Sequence, residues 1–229
     1  MRLAAAALAS ASLLALAPSD PPSLPEQMAD TGGGSQLITA QAPREGSTSG
    51  TLTWWDRRKG RWVKAGSAAA RFGTKGLVEG GSRKQGSHTT PTGLYDLPFA
   101  FGIKAAPAGT TVVYRRVREE SWWCEDNDSR SYNRWTESRP ADCRASESEH
   151  LIAYETQYAY ALVVGFNYER PVRGRGAGIF LHVDGAGATA GCVSVPQEAM
   201  RRIIAWVDPA RGPRIAIGTV SGATAITRY

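Results

Sequence analysis

Ile179-Phe-Leu-His-Val-Asp-Gly-Ala-Gly-Ala-Thr-Ala-Gly-Cys-Val-Ser-Val195 sets a short apolar run on either side of a Gly/Ala-rich turn. Ile179 to Val183 reads as a buried strand, and Cys192 to Val195 as the start of another. A hairpin-like return of that length brings one imidazole, His182, beside one thiol, Cys192. This is the minimum equipment for thiol nucleophilic catalysis: a base that takes the proton and a sulfur that attacks as thiolate. Gly185, Gly187 and Gly191 free the backbone to approach a ligand and to aim N–H groups at one point. Such a nest beside a cysteine is what an oxyanion hole needs, so the N–H groups of Gly191 and Cys192 are the candidate donors. The second ring nitrogen of His182 needs an orienting acceptor, expected to be a backbone carbonyl. The bland alternative is an inert core cysteine beside a structural histidine.

Outward from this segment the chain is rich in short strand-like runs. They lie at Gln36 to Ala42, Thr51 to Asp56, Arg61 to Lys64, Gly93 to Leu97, Thr111 to Arg118, Tyr158 to Asn167 and Pro213 to Val220. Gly and Pro punctuate the intervals, which implies a mainly β sandwich or barrel. One helix stands out, directly after the cysteine. Ser194-Val-Pro-Gln197 has the form of a capping box with proline in the first turn. Met200, Ile203, Ile204, Trp206 and Val207 supply an apolar face, and Asp208-Pro209 ends it. Ser194 therefore reads as a helix cap, and the helix dipole is placed to favour a thiolate at Cys192.

The 229 residues accommodate one domain with an N-terminal extension. Met1 to Ala17 carries Arg2 and then an Ala/Leu run ending small-x-small, the pattern of a secretory signal peptide, too short for a typical transmembrane helix. Residues 18–35 are Pro-, Gly- and Ser-rich and read as a flexible tether; 36–229 form the domain. The net charge of +6 is dispersed. It suits an anionic polymer surface. Nucleic acid is not expected as a partner, since no basic helix or aromatic platform is visible.

Three cysteines are odd for an exported chain. Cys124 and Cys143 flank one polar, aromatic insertion and are expected to pair, closing a loop worth roughly 3 kcal/mol. That leaves Cys192 free, so cysteine arithmetic and the motif converge on one residue. No Cys-x-x-Cys or paired-His spacing supports a metal site. Residues 122–144 read as a long crossing loop, either a lid packing its own aromatics or a substrate-binding element. His88 reads as an exposed loop residue and His150 as structural.

Phe180-Leu-His182 followed by Thr189-Ala-Gly-Cys192-Val resembles the signature of the YkuD-type L,D-transpeptidases, in a short His…Thr-Ala-Gly-Cys subgroup. Thr90-Pro-Thr-Gly93 with Leu94 and Tyr95 is similar to an early Thr-Pro-x-Gly segment of that domain. The run Ala159 to Asn167 and the helix ending Trp206-Val-Asp-Pro209 are similar to one subgroup. The resemblance covers roughly Leu37 to Thr219. Ala190 stands where many members have a second histidine, and Ser194 where many have Asn or Arg. The resemblance implies a YkuD-like β-sandwich or barrel and a cell-wall acyl transferase. Cys192 would attack the carbonyl of an L-centred residue in a peptidoglycan stem peptide, with His182 as base. Thr90, Pro91, Gly93, Tyr95, Asn167 and Thr189 would bind substrate. It also implies no cofactor or metal, and acylation of Cys192 by penem-type β-lactams; the signal-peptide pattern gives a secreted or periplasmic, wall-associated location, and a monomer is expected. Two rivals are an L,D-carboxypeptidase or amidase of the wall, and a wall-binding module without catalysis.

Overall fold

A computed structural model describes residues 21–229, so the expected signal peptide at 1–17 lies outside the described residues. Fourteen strands follow in order: β1 (Gln36–Ala42), β2 (Ser49–Arg58), β3 (Arg61–Arg71), β4 (Leu77–Glu79), β5 (Thr90–Asp96), β6 (Ala100–Gly102), β7 (Tyr114–Arg116), β8 (Ser121–Cys124), β9 (Arg134–Glu137), β10 (Ser148–His150), β11 (Ala161–Val163), β12 (Phe180–Val183), β13 (Val193–Val195) and β14 (Arg214–Thr219). The α-helix α1 (Gln197–Trp206) sits between the last two strands. The mainly β expectation holds. Eleven strands form one sheet in the order β4-β5-β14-β1-β2-β3-β13-β12-β11-β6-β7, and β10-β8-β9 form a second.

The large sheet wraps a core of Ile38, Leu52, Phe72, Leu162, Leu181, Val193 and Ile217 with the apolar stripe of α1. That stripe is Ala199, Met200, Ile203 and Ile204, one face of a 3.6-residue period. Burying each large aliphatic side chain contributes on the order of 1.5–3 kcal/mol. A second, aromatic core lies on the other side of β11 and β12. There Phe101, Trp123, Tyr158 and Phe180 meet at edge-to-face angles.

The local elements around the motif differ from the sequence reading in three ways. β12 and β13 pair in parallel, with Leu181 opposite Val193 and His182 opposite Ser194, so they are not a hairpin. The Gly/Ala-rich residues between them carry the chain back along the strand, and β3 occupies the other edge of β13. Ser194 is no helix cap. It lies inside β13 and its hydroxyl donates to Asp184 Oδ1 at 2.7 Å, while Pro196 takes the N-cap position of α1. α1 therefore starts beyond β13, too far along the chain for its first turn to meet the thiol.

Residues 122–144 are more than a crossing loop. β8 pairs with β9 and β10 in antiparallel register, and a disulfide joins Cys124 to Cys143. Buried Asp126 accepts from Nε and Nη2 of Arg144 at 2.7 and 2.6 Å, a bidentate pair that closes the same loop. Alternation of Trp122, Trp123 and Cys124 across the strand sends Trp123 wholly into the aromatic core. The N-terminal tether also departs from expectation over its described part. The N–H groups of Ala29 and Asp30 donate to Thr227 O and Tyr229 O at 2.9 and 3.0 Å, and Leu24 and Met28 pack on Leu37, Trp62 and Ile226. Its few apolar residues find a matching patch, which composition alone does not reveal.

Reduction of Cys124–Cys143, which spans 19 positions, should lower stability by about 3 kcal/mol. Thermal unfolding with and without a thiol reductant measures this; coincident transitions with the bond demonstrably reduced would contradict it.

Candidate active site

Side chains alternate along paired strands, so the β12–β13 register puts His182 and the residue just before β13, Cys192, on one face, diagonally related. The backbone of Cys192 is pinned by two hydroxyls. Its carbonyl accepts from Thr189 Oγ1 at 2.7 Å and from Thr90 Oγ1 at 3.2 Å. Thr90 is wholly buried, and its oxygen also accepts from Gly73 N at 2.8 Å, so three strand ends are tied at Cys192. The half-buried thiol donates to Gly178 O and accepts from Phe180 N, each at 3.3 Å.

His182 is 6% exposed, and its Nδ1 lies 2.8 Å from the carbonyl oxygen of Val183. A carbonyl only accepts, so Nδ1 carries the proton and Nε2 keeps a lone pair. Tyr158 stands edge-on to the ring at 5.8 Å. Burial lowers the pKa of His182, outweighing the opposing effects of the Val183 carbonyl and Asp184. Burial, reinforced by the charge of Glu149, pushes the Cys192 thiol up. Both shifts favour the neutral form, a thiol beside a neutral imidazole.

Two compartments meet at Cys192. The first, of about 250 Å³, is lined by His182, Tyr154, Tyr158 and the Gly185–Thr189 backbone. The second, of about 190 Å³, is lined by Arg83, Gln85, His88, Glu125 and Ile179. Glu149, Ala190 and Cys192 border both.

The expected site residues divide accordingly. Cys192, His182 and Thr189 line the first compartment, and Thr90 braces it from behind. Pro91, Gly93 and Tyr95 do not reach the cavity. They lie along β5, between β4 and β14, where the Tyr95 hydroxyl donates to Thr92 O at 2.5 Å and its ring packs against Phe166. Asn167 is a turn residue at φ +50°. It donates to Val172 O and Gly176 O and accepts from Val172 N, stapling the loop ahead of β12. The Gly191 N–H is not free for an oxyanion, because it donates to Thr189 Oγ1 at 3.1 Å. Gly191 is needed for another reason. At φ +141°, a Cβ there would stand 2.7 Å from Arg83 Nη2. His88 is exposed, as expected, and also borders the second compartment.

Arg83, Glu125, Glu149 and Tyr158 are the groups that the sequence did not disclose. Arg83 is 5% exposed; its Nε and Nη1 donate to Thr89 O and Arg175 O. Tyr158 donates to Glu149 Oε2 at 2.5 Å. Burial raises the pKa of both Glu125 and Glu149. Buried Asn133 ties the insertion to the site. Its Oδ1 accepts from Trp123 Nε1 and from Gly178 N, the residue whose carbonyl holds the thiol.

A family model described as the YkuD L,D-transpeptidase catalytic domain matches residues 47–220. No curated protein matches the chain. Among solved structures, that of Bd1075 from Bdellovibrio bacteriovorus is similar at 14% identity with a TM-score of 0.41. The match covers 80% of this chain and 48% of that one, so this chain spans about half the length of that structure.

Iodoacetamide should alkylate one thiol per chain, Cys192, slowly at neutral pH, with a rate rising about tenfold per pH unit between roughly pH 7 and 9 as thiolate forms. A rate already at its plateau at neutral pH would contradict the neutral pair.

Proposed function

The chain belongs to the YkuD family of L,D-transpeptidase catalytic domains, cell-wall enzymes that act on peptidoglycan stem peptides, and we propose that it is an exported acyl transferase with Cys192 as nucleophile and His182 as base. The observation that carries the reading is the geometry of His182. Its Nδ1 is committed to the Val183 carbonyl, and its free Nε2 shares a cavity with the half-buried thiol of Cys192.

The chemistry follows from those two groups. The Cys192 proton passes to His182 Nε2 as Sγ bonds to the acyl carbon of the donor stem. The tetrahedral intermediate collapses, the C–N bond to the terminal residue breaks, and the imidazolium returns its proton to the leaving amine. A thioester remains. An amine of a second stem then attacks the thioester carbon, His182 takes the proton of that amine, and the sulfur leaves to recover the thiol. The cross-link forms with no net change in bond order or redox state. Cys192 N–H is the remaining oxyanion donor from the glycine-rich turn. Thr90 and Thr189 hold the nucleophile's carbonyl and so fix where that N–H lies.

Export is consistent with the Cys124–Cys143 disulfide, since such bonds persist in oxidising compartments. Substrate recognition falls to the two compartments beside the thiol rather than to the β5 segment.

Release of the terminal residue from a disaccharide-tetrapeptide tests the proposal. Cys192→Ala should abolish it while leaving the folded state intact by circular dichroism, and His182→Ala should slow it by about 10²–10⁴-fold. Dimeric products identify transpeptidation, and tripeptide alone identifies hydrolysis. Turnover retained by Cys192→Ala would refute the assignment.

A further inference from the structure

Arg83 is a buried cation with no counter-ion among the described residues. It follows the 3₁₀ turn Gly80–Ser82, between β4 and β5, and is 5% exposed. Its Nε donates to Thr89 O at 2.8 Å and its Nη1 to Arg175 O at 3.2 Å. Its guanidinium carbon stands 5.6 Å from the centre of the Phe166 ring. These contacts fix the plane of the group, and neither carbonyl cancels its charge. No carboxylate among the described residues forms an ion pair with it. Glu125, an acid of the same compartment, is shifted by burial toward the neutral form and so does not neutralise it. A cation taken out of water in this way costs free energy that is recovered when an anion forms beside it.

The free nitrogen shows where that anion forms. Nη2 has no acceptor among the described residues and stands against Gly191, where a Cβ would lie 2.7 Å from it. A glycine at φ +141° is what lets the guanidinium close on the backbone beside Cys192. The Gly191 N–H is spent on Thr189 Oγ1, so the turn offers an oxyanion only the Cys192 N–H, whereas such a hole is built from more than one donor. His182 lines the first compartment and not the second, while Arg83 lines the second. The leaving and attacking amines exchange a proton with His182 and so lie on its side of the acyl carbon. The carbonyl oxygen is left to face the other side, toward Arg83. We propose that Arg83 is a catalytic residue of the acyl transfer: its Nη2 donates, together with the Cys192 N–H, to the oxyanion of the tetrahedral intermediates. The role rests on the acyl-transfer reading above; the buried, unpaired guanidinium does not. Because Thr89, Arg175 and Phe166 hold the group before any substrate arrives, no reorganisation is needed as the charge develops.

Steady-state release of the terminal residue from a disaccharide-tetrapeptide, read beside alkylation of Cys192 by iodoacetamide, tests the assignment. Displacement of iodide forms no oxyanion, so alkylation reports on the thiol alone. Arg83→Gln should lower kcat by about 10²–10³-fold and leave KM within about twofold. Its alkylation at neutral pH should slow by no more than about tenfold, the effect of removing one positive charge from beside the thiolate. Arg83→Lys keeps the charge but cannot reach both carbonyls and the oxyanion together. It should lose at least about tenfold in kcat with alkylation unchanged, and it decides the question if Arg83→Gln loses the circular dichroism spectrum of the folded protein. A raised KM with unchanged kcat would make Arg83 a contact to bound substrate, and equal losses in kcat and alkylation would make it a support of the thiol; either result overturns the assignment. Turnover indifferent to both substitutions would refute the role of Arg83 alone, whereas a wild-type protein without turnover would refute the acyl-transfer reading beneath it.

Discussion

The parallel pairing of β12 with β13 is the constraint on which the site depends. A one-residue slip in this register would turn Cys192 or His182 to the opposite face of the sheet. The pairing is held from both sides. β11 and β3 flank it, and Leu181, Val183, Val193 and Val195 bury their side chains beneath it. Thr90 and Thr189 then fix the Cys192 carbonyl, and Asn133 fixes Gly178. Cys192 thus sits on regular elements, with the glycine-rich turn confined to the rim of the cavity.

The electrostatics follow from burial. Burial makes the imidazole resist protonation, and burial with the charge of Glu149 makes the Cys192 thiol resist ionisation, so both groups are held toward the neutral form. The Val183 carbonyl selects the tautomer that leaves the Nε2 lone pair free. Arg83, Glu125 and Glu149 line the compartment beside the thiol, and burial shifts both glutamates toward the neutral form. The disulfide-bonded insertion supplies Glu125 as well as Asn133, so it is a wall of the site and not an ornament on the surface.

Much of this was legible in the chain. β1 falls at the expected residues 36–42, and the stripe of α1 at the expected Met200, Ile203 and Ile204, because periodicity reports burial directly. The shared face of Cys192 and His182 was legible through their spacing, and the disulfide through cysteine arithmetic. The parallel connection was not, because the sequence of a glycine-rich turn does not say which way the chain leaves it. Ser194 mimicked a helix cap, since a strand serine before a proline offers the same letters as a capping box. Tyr95 and Asn167 were misplaced for a related reason: a short motif marks a strand or a turn without saying which way its side chains face. Arg83 and Glu149 left no local signal at all. They meet Cys192 through long-range packing, and a lone arginine in a polar loop or a glutamate in a short strand reads as solvated.

The most direct test of the account is the mass of the intact protein after brief exposure to a tetrapeptide stem. The account predicts an increment equal to the acyl part of the stem, without its terminal residue, that maps to Cys192 and is absent from His182→Ala on the same timescale. An unmodified protein accompanied by product, or an acyl group carried by a different residue, would contradict it.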